Sequence, residues 1–364
     1  MKNISLLIKP VSARCQYRCR YCFYDKLAST RSEKDLGIMQ NETVFSLISS
    51  VFAHKPRYVS FVFQGGEPLL AGIGFYETFI DTVDQFNTCN AHVQYSLQTN
   101  GALIDEKFCH FFKKHRFLIG LSLDGTKEMN DFNRIDAFGK STFSATMAAA
   151  RMLKKEGVMV NVLNVLTDQN ARYGEKIYRF YRANGLDYMQ FIPCIDEVGS
   201  KRNSLSPGRL ATFLKTVFDL WYIDLINGRP SYIRQFENYV NLLCGLPAED
   251  CSMNGYCGLY YVVEADGSLY PCDFYCVDEY RVGDLKTDDP FAITEKHRSF
   301  IDQSLVLPDK CKSCKYFILC RGGCRRDRQS PEQINKYCDG YYDFFDYTYN
   351  RLLYIAEQIK HKHS

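Results

Sequence analysis

The stretch SARCQYRCRYCFYDK, residues 12–26, places three cysteines within eight positions. Cys15, Cys19 and Cys22 follow the apolar run SLLIKP (residues 5–10), so the three thiols lie in a loop after a candidate strand. Closed zinc sites usually take four ligands, and disulfides use cysteines in pairs. Three clustered thiols therefore indicate a metal centre with one position left open. The spacing favours a [4Fe–4S] cluster, in which three ligands leave one iron free, over chance cysteines or a partial zinc site.

Short apolar runs alternate with longer helical stretches in the first two thirds of the chain. Strands that alternate with helices at this spacing predict βα units and a parallel sheet. Six such units predict an α/β fold, a partial (β/α)6 barrel of the TIM type, whose active site gathers at the carboxyl ends of the strands. The predicted strands are residues 5–10, 58–64, 92–99, 117–124, 158–167 and 188–195.

The character of the sequence changes after a helical stretch at residues 206–228. Cysteine density rises between Cys251 and Cys338, and YYVVEADGSLYPCDFY predicts a β-hairpin that turns at ADG. A last helix covers residues 341–360. We therefore expect two domains, a barrel at residues 1–240 and a small cysteine-rich domain with a hairpin and a C-terminal helix at residues 241–364.

Composition limits the possible functions of the 364-residue chain. Its 45 Lys and Arg balance 42 Asp and Glu, and a net charge of +3 favours neither nucleic acid nor an acidic partner. No apolar run reaches the roughly 18 to 20 residues of a membrane span, and no signal peptide is visible, so we expect a cytoplasmic protein without membrane contact. In that compartment sixteen cysteines indicate metal binding or catalysis rather than disulfides.

Two motifs together resemble the radical S-adenosylmethionine (SAM) superfamily. CQYRCRYCFY is similar to its cluster motif, including the aromatic Tyr21, and GGEP (residues 65–68) is similar to its contact with the methionine of SAM. A lone GGEP would be a weak signal, because Gly-Gly turns are common. It gains weight from following the second predicted strand while the cysteines follow the first. The resemblance implies that SAM caps the open iron and that its cleavage yields a 5′-deoxyadenosyl radical.

Eight further cysteines lie between residues 251 and 338, enough for two groups of four. Four thiolates each suit two more [4Fe–4S] clusters, although CKSC and CRGGC would also suit a four-cysteine zinc site. Their order resembles the auxiliary-cluster (SPASM) domain of peptide-modifying radical SAM enzymes. That resemblance implies that the eight cysteines form two groups of four, each of which binds one cluster. The groups are Cys251, Cys257, Cys272 and Cys324, and Cys311, Cys314, Cys320 and Cys338.

Motifs along nearly the whole chain resemble the anaerobic sulfatase-maturating enzymes, among them FVFQGGEP, YSLQTNG, GLSLDG and CRGGCRR. These enzymes oxidise a Cys or Ser of a sulfatase to Cα-formylglycine without oxygen. In YPCDFY, Asp273 directly follows Cys272, at the place of the family's proposed base. Residue type alone would favour a turn role for this Asp, whereas the resemblance favours catalysis.

The resemblance also carries over single positions. Some of these positions match the family's SAM contacts, and others match polar residues on its substrate side. For the substrate-side positions, the alternative is an ordinary role in loop capping or barrel packing. The SAM positions are Tyr21, Gly66, Ser122, Arg134 and Ile195. The substrate-side positions are Tyr24, Gln64, Gln98 and Asn100.

The resulting hypothesis is a peptidyl-cysteine or -serine oxidase with three [4Fe–4S] clusters. Its partners would be SAM, a sulfatase polypeptide, and an electron donor such as a flavodoxin or ferredoxin. One alternative is a maturase that forms thioethers or crosslinks in another peptide, and a second is a zinc protein or electron carrier without enzymatic activity. The choice between Cys and Ser as target stays open. The remaining cysteines are interpreted as structural, with Cys276 a possible stray ligand; they are Cys89, Cys109, Cys194, Cys244 and Cys276.

Overall fold

A computed structural model describes residues 3–195, 205–287, 289–328 and 334–363. It divides into two compact units that interleave along the chain. The first unit comprises Met1–Leu123, Asp131–Asn161 and Leu259–Arg298. The second comprises Asp124–Asn130, Val162–Gly258 and Ser299–Ser364. The domain boundary near residue 240 stays a prediction.

The secondary structure follows the predicted alternation of strands and helices. The strands are β1 (Asn3–Ile8), β2 (Tyr58–Phe63), β3 (His92–Thr99), β4 (Leu118–Ser122), β5 (Met159–Leu166), β6 (Tyr188–Pro193), β7 (Tyr232–Ile233), β8 (Tyr261–Val263), β9 (Ser268–Tyr270) and β10 (Gly283–Asp284). The helices are α1 (Phe23–Ser29), α2 (Asn41–Ala53), α3 (Ile73–Phe86), α4 (Glu106–Lys114), α5 (Lys127–Asn133), α6 (Phe143–Lys155), α7 (Gly174–Ala183), α8 (Pro207–Ile226), α9 (Arg234–Leu243), α10 (Glu295–Ser304), α11 (Asp309–Lys312), α12 (Phe317–Cys320) and α13 (Cys338–His363).

The first unit is built on a mixed sheet. β1, β2, β3 and β4 pair in parallel and in sequence order. The predicted hairpin forms from β8 and β9, which pair antiparallel, and β10 adds a further antiparallel strand. β8 also pairs in parallel with β1, with Leu7 opposite Val262. The hairpin, which the sequence suggests belongs to the C-terminal domain, therefore extends the sheet that carries the cysteine loop.

Aromatic side chains form much of the core of the first unit. β2 alternates buried residues with exposed or half-buried ones, and it buries Phe61 and Phe63. Both rings lie 5.0 Å from the ring of Phe79 on α3, in edge-to-face contact. This packing fixes the carboxyl end of β2, where the GGEP motif begins.

The second unit combines parallel strands with helices. β5 pairs in parallel with β6, and β6 with β7. The long helices α8 and α13 pack together, with the ring of Phe218 5.9 Å from that of Phe344. Both helices lie close to the stretches predicted from sequence. No helix in the described ranges is long and apolar enough to cross a membrane.

Candidate iron–sulfur active site

The loop between β1 and α1 brings the three N-terminal thiols together. The backbone N–H of Tyr17 donates to Sγ of Cys15 at 3.3 Å, and Nδ2 of Asn100 lies 3.8 Å from the same sulfur. Burial raises the pKa of the Cys15 thiol to about 12, and Cys19 and Cys22 lie near enough to add to the increase. Clustered thiols with donors directed at a sulfur fit an iron–sulfur cluster, because metal binding supplies the thiolate state that burial opposes.

A short segment before α6 supports the cysteine loop. The backbone N–H of Arg18 donates to the carbonyl of Ile135 at 2.8 Å. Nη1 of Arg134 donates to the phenol oxygen of Tyr21 at 2.9 Å. The structure thus pairs two of the residues predicted to contact SAM.

The GGEP motif packs against the cysteine loop. Gly66 has a φ of +51°, and a Cβ there would lie 2.2 Å from the carbonyl oxygen of Arg14, so only glycine fits. The N–H of Glu67 donates to that same oxygen at 2.8 Å. The buried carboxylate of Glu67 accepts from Oγ1 of Thr99 at 2.7 Å and from the N–H of Asn100 at 2.8 Å. The motif therefore joins the cysteine loop to the carboxyl end of β3.

Asp273 follows β9 and lies in a buried ion pair with Lys9. Nε2 of Gln64 donates to Oδ2 of Asp273 at 3.0 Å. The Lys9 side chain is fully buried, whereas that of Asp273 is 13% exposed. Burial alone would lower the pKa of Lys9, but the charges of Asp273, Cys276 and Glu264 outweigh it and leave that pKa raised. Lys9 therefore stays an ammonium group beside the predicted base.

A second buried ion pair lies nearby in the same unit. Nη2 of Arg31 is 2.7 Å from Oε1 of Glu264 and donates to the phenol oxygen of Tyr24 at 3.0 Å. The phenol of Tyr24 also donates to Glu264, and burial raises the pKa of Tyr24 well above its usual value. Tyr24, predicted on the substrate side, thus belongs to a buried network with Arg31 and Glu264.

Sequence reasoning missed Lys9, Arg31 and Glu264. Two of them could have been found, because each is a charged residue within an apolar stretch. Lys9 lies in SLLIKP and Glu264 lies in YYVVEADG. Charged residues are almost never fully buried unless they are paired, so such residues are candidates for a buried partner. Arg31 had no such local signal.

The other predicted positions lie at or near strand ends. Ser122 is the buried last residue of β4, and Gln98 is half-buried in β3 opposite Gly120. Asn100 contacts the cysteine loop through Gln16, whose Nε2 donates to its Oδ1 at 3.4 Å. Ile195 follows β6 and lies in the second unit.

One predicted group of four thiols lies wholly in the second unit. Burial raises the pKa of Cys320 to about 12, and Cys338, Cys311 and Cys314 are the neighbouring thiols that add to this increase. The four are the predicted ligands of one auxiliary cluster. Four mutually close, poorly solvated thiols are suited to full ligation of a [4Fe–4S] cluster.

The other predicted group is divided between the units. Burial raises the pKa of Cys324 to about 12, and Cys251 and Cys257 are again neighbouring thiols. The backbone N–H of Cys257 donates to Oγ of Ser304 at 2.8 Å. Cys272, the fourth predicted ligand, belongs to the first unit.

None of the sixteen cysteines, all of which lie in the described ranges, is in a disulfide. Cys276 is fully buried, and its Sγ donates to the carbonyl of Cys272 at 3.5 Å. Cys109 and Cys194 are also buried. Within the described ranges, no three Cys, His, Asp or Glu side chains form a site for a single metal ion.

Comparison with known proteins identifies the class of this site. The sequence model of the radical SAM superfamily matches residues 10–181, and that of the SPASM iron–sulfur cluster-binding domain matches residues 254–315. The chain is thus a radical SAM protein with an iron–sulfur domain.

Full-length relatives identify the family. The cysteine-type anaerobic sulfatase-maturating enzyme of Clostridium perfringens is 42% identical over 99% of this chain and 100% of its own length. The serine-type enzyme of Klebsiella aerogenes is 31% identical over 93% of this chain and 84% of its own length. A solved structure described as native anSMEcpe with bound AdoMet and Cp18Cys peptide is 40% identical, with a TM-score of 0.92 over 98% of this chain and 99% of that one.

The chain belongs to the family of anaerobic sulfatase-maturating enzymes. The predicted fold class is confirmed by the agreement with the solved structure. The prediction of an oxidoreductase of the radical SAM class is confirmed as well.

Proposed function

We propose that this chain oxidises a cysteine side chain of a sulfatase polypeptide to Cα-formylglycine without oxygen. The proposal rests on the segment that follows β2, because this segment contacts both Asp273 and the cysteine loop. Gln64 binds the carboxylate of Asp273, and three residues later the N–H of Glu67 binds the cysteine loop at Arg14. One rigid segment therefore holds both the candidate base and the candidate cluster loop.

The residues present fit the cofactors that this activity needs. Cys15, Cys19 and Cys22 would hold the [4Fe–4S] cluster whose open iron takes SAM. When bound, the two supply the one-electron chemistry that removes a hydrogen atom from the target Cβ. The positions proposed to contact SAM are Tyr21, Gly66, Ser122, Arg134 and Ile195. The ligands proposed for the two auxiliary clusters are Cys251, Cys257, Cys272 and Cys324, and Cys311, Cys314, Cys320 and Cys338.

The chain's own contribution is the movement of a proton. Asp273 takes the proton of the target thiol, and its partly exposed carboxylate is accessible to a substrate. Gln64 fixes one carboxylate oxygen in place. The side chain would lose a hydrogen atom to the SAM-derived radical, the thiol proton to Asp273 and one further electron to an auxiliary cluster, which would give a thioaldehyde. Water would then convert the thioaldehyde to the aldehyde with release of hydrogen sulfide.

Cysteine is proposed as the preferred target. The cysteine-type relative is 42% identical over its whole length, and the serine-type relative is 31% identical. The substrate would be an unfolded or nascent sulfatase segment, and the electron donor a flavodoxin or ferredoxin. The cytoplasm is the proposed compartment, because sixteen free thiols suit a reducing environment.

The test uses anaerobically reconstituted holoenzyme with SAM, a reductant and three peptides that differ only in Cys, Ser or Ala at the target position. Mass spectrometry should find formylglycine from the Cys peptide at the highest rate and none from the Ala peptide. Cleavage of SAM with an unchanged Cys peptide would overturn the proposed substrate. Absence of SAM cleavage in iron-replete protein would overturn the cofactor assignment.

The ligand assignment has its own test. Cys15→Ala should lower bound iron by about four atoms per chain, whereas Cys89→Ala should leave it unchanged. Cys89 is a suitable control because its thiol contacts only loop groups, the carbonyl of Pro56 and the side chain of Asn87. Equal iron contents in the two variants would contradict the assignment.

A further inference from the structure

Lys9 is a buried lysine held in place from several sides. Its side chain is 0% exposed, and its Nζ lies 3.5 Å from the centroid of the Tyr24 ring. Its backbone N–H donates to the carbonyl of Val263 at 2.8 Å, which continues the pairing of β1 with β8. A Cβ on Gly65 would lie 2.7 Å from Cγ of Lys9, so the lysine stem packs directly on the GGEP backbone. These contacts hold the lysine stem in place.

The charges of two carboxylates, Asp273 and Glu264, act on this ammonium group. Glu264 is already bound by Nη2 of Arg31 at 2.7 Å and by the phenol of Tyr24. Arg31 is itself fixed, since its Nε donates to the carbonyl of Cys276 at 2.6 Å. Lys9 therefore pairs with Asp273. The four buried charges form two pairs, each with its own cation.

We propose that Lys9 is a positioning residue that holds the carboxylate of Asp273 in the orientation needed to take the substrate proton. The inference rests on the proposed function and deepens it. The ammonium group of Lys9 pairs with Oδ1 and Nε2 of Gln64 donates to Oδ2, so each oxygen of the carboxylate is held by a different group. Because Lys9 also packs on Gly65, it sets the position of the base relative to the motif that supports the cysteine loop.

The kinetic test compares Lys9→Met with Lys34→Met, which removes an exposed lysine of the same unit. In the iron-replete holoenzyme, Lys9→Met should lower kcat for the Cys peptide about a hundredfold, since small misplacements of a reacting group have effects of this size. The KM for the peptide should stay within about twofold, because Lys9 is buried and positions the base rather than the peptide. The ratio of SAM cleaved to peptide oxidised should therefore rise. Unchanged kcat and an unchanged ratio would overturn the proposal.

A second readout is independent of activity. Asp273→Asn leaves Lys9 as an unpaired buried cation, and Lys9→Met leaves Asp273 without its cation, so each single variant should lower the unfolding midpoint of the holoenzyme. The double variant should unfold at a higher temperature than Asp273→Asn alone, because it removes both charges. Additive losses would overturn the pairing.

If Lys9→Met does not retain iron, the double variant still tests the proposal. Recovery of iron and of the midpoint in the double variant would support the pair. Failure to recover would show that Lys9 only fills the core, and would overturn the proposal. Failure of the wild-type enzyme to oxidise the Cys peptide would instead overturn the proposed function and leave the stability comparison interpretable.

Discussion

The surroundings of Asp273 and Glu264 differ in how completely they enclose the carboxylate. Both carboxylates lie in the first unit, and each is paired with a buried cation. Glu264 is 0% exposed and is surrounded by Arg31 and Tyr24, whereas the side chain of Asp273 is 13% exposed. Pairing with a buried cation is therefore not enough to identify a base. Of the two paired carboxylates, Asp273 is the candidate because its side chain remains partly exposed.

The largest effect is expected on the free energy of unfolding, when the buried ion pair of Arg31 and Glu264 is broken. Arg31→Met removes the cation that pairs with Glu264, and removal of one partner of a buried pair costs about 3–5 kcal/mol. We expect a clear fall in the urea midpoint of the iron-replete protein, measured by circular dichroism. Arg57→Met, at an exposed position, should leave the midpoint unchanged. A midpoint equal to that of the wild type would mean that the Glu264 network does not support the unit.

A smaller effect is expected at Asp273, the partly exposed carboxylate. Gln64→Ala removes one donor from Asp273, and a hydrogen bond to a charged group contributes about 1.5 kcal/mol or somewhat more. We expect kcat for peptide oxidation to fall about tenfold, with the rate of SAM cleavage little changed. Gln94→Ala, which alters an exposed residue of β3, is the control. A drop in SAM cleavage of the same size would place Gln64 on the cofactor side instead.

The smallest effect concerns a third buried ionisable group. His297 is fully buried, edge-on to Tyr261, and neither ring nitrogen has a hydrogen-bond partner among the described residues. Burial lowers its pKa below the usual value of 6.5. Below that value the unfolded chain binds more protons than the native protein, so stability falls as the pH decreases from about 6.5 towards the lowered pKa. Each unit of lowering contributes about 1.4 kcal/mol.

His297→Phe should reduce this pH dependence. The unfolding midpoint of the variant should fall less than that of the wild type between about pH 7.5 and about pH 5.5. His110→Phe, at an exposed position, should retain the wild-type dependence. Parallel curves for wild type and His297→Phe would show that the ring has the same pKa in the native and unfolded states, which would contradict the lowered pKa.

Local sequence patterns predicted most of the fold. The run HVQYSLQT was predicted as a strand at 92–99 and is β3, and the predicted last helix lies within α13 (Cys338–His363). Such elements depend on periodicity within a short window. The parallel pairing of β8 with β1 depends on packing between distant segments, and no local pattern encodes it.

For the site, the sequence predicted which thiols lie together, whereas the roles of the single residues stay predictions. The three cysteines of the loop come together as their spacing predicts, because they share one loop. The contacts of Asp273 with Lys9 and Gln64 could not be predicted, because they join residues far apart in sequence. Tyr24 illustrates the same limit. Its position after a strand suggested the substrate side. Its burial depends on Glu264, which follows β8 and is distant in sequence.

The most direct test of the account compares Asp273→Asn with Glu264→Gln. Both exchanges replace a buried carboxylate by its amide, and both variants are assayed as iron-replete holoenzyme for formylglycine formed per SAM cleaved. If Asp273 is the base, Asp273→Asn should still cleave SAM but lose peptide oxidation by about 10²- to 10⁴-fold, the usual contribution of a general base. Glu264→Gln should keep a ratio near that of the wild type. A wild-type ratio in Asp273→Asn, or an equal loss in both variants, would contradict the assignment of Asp273 as the base.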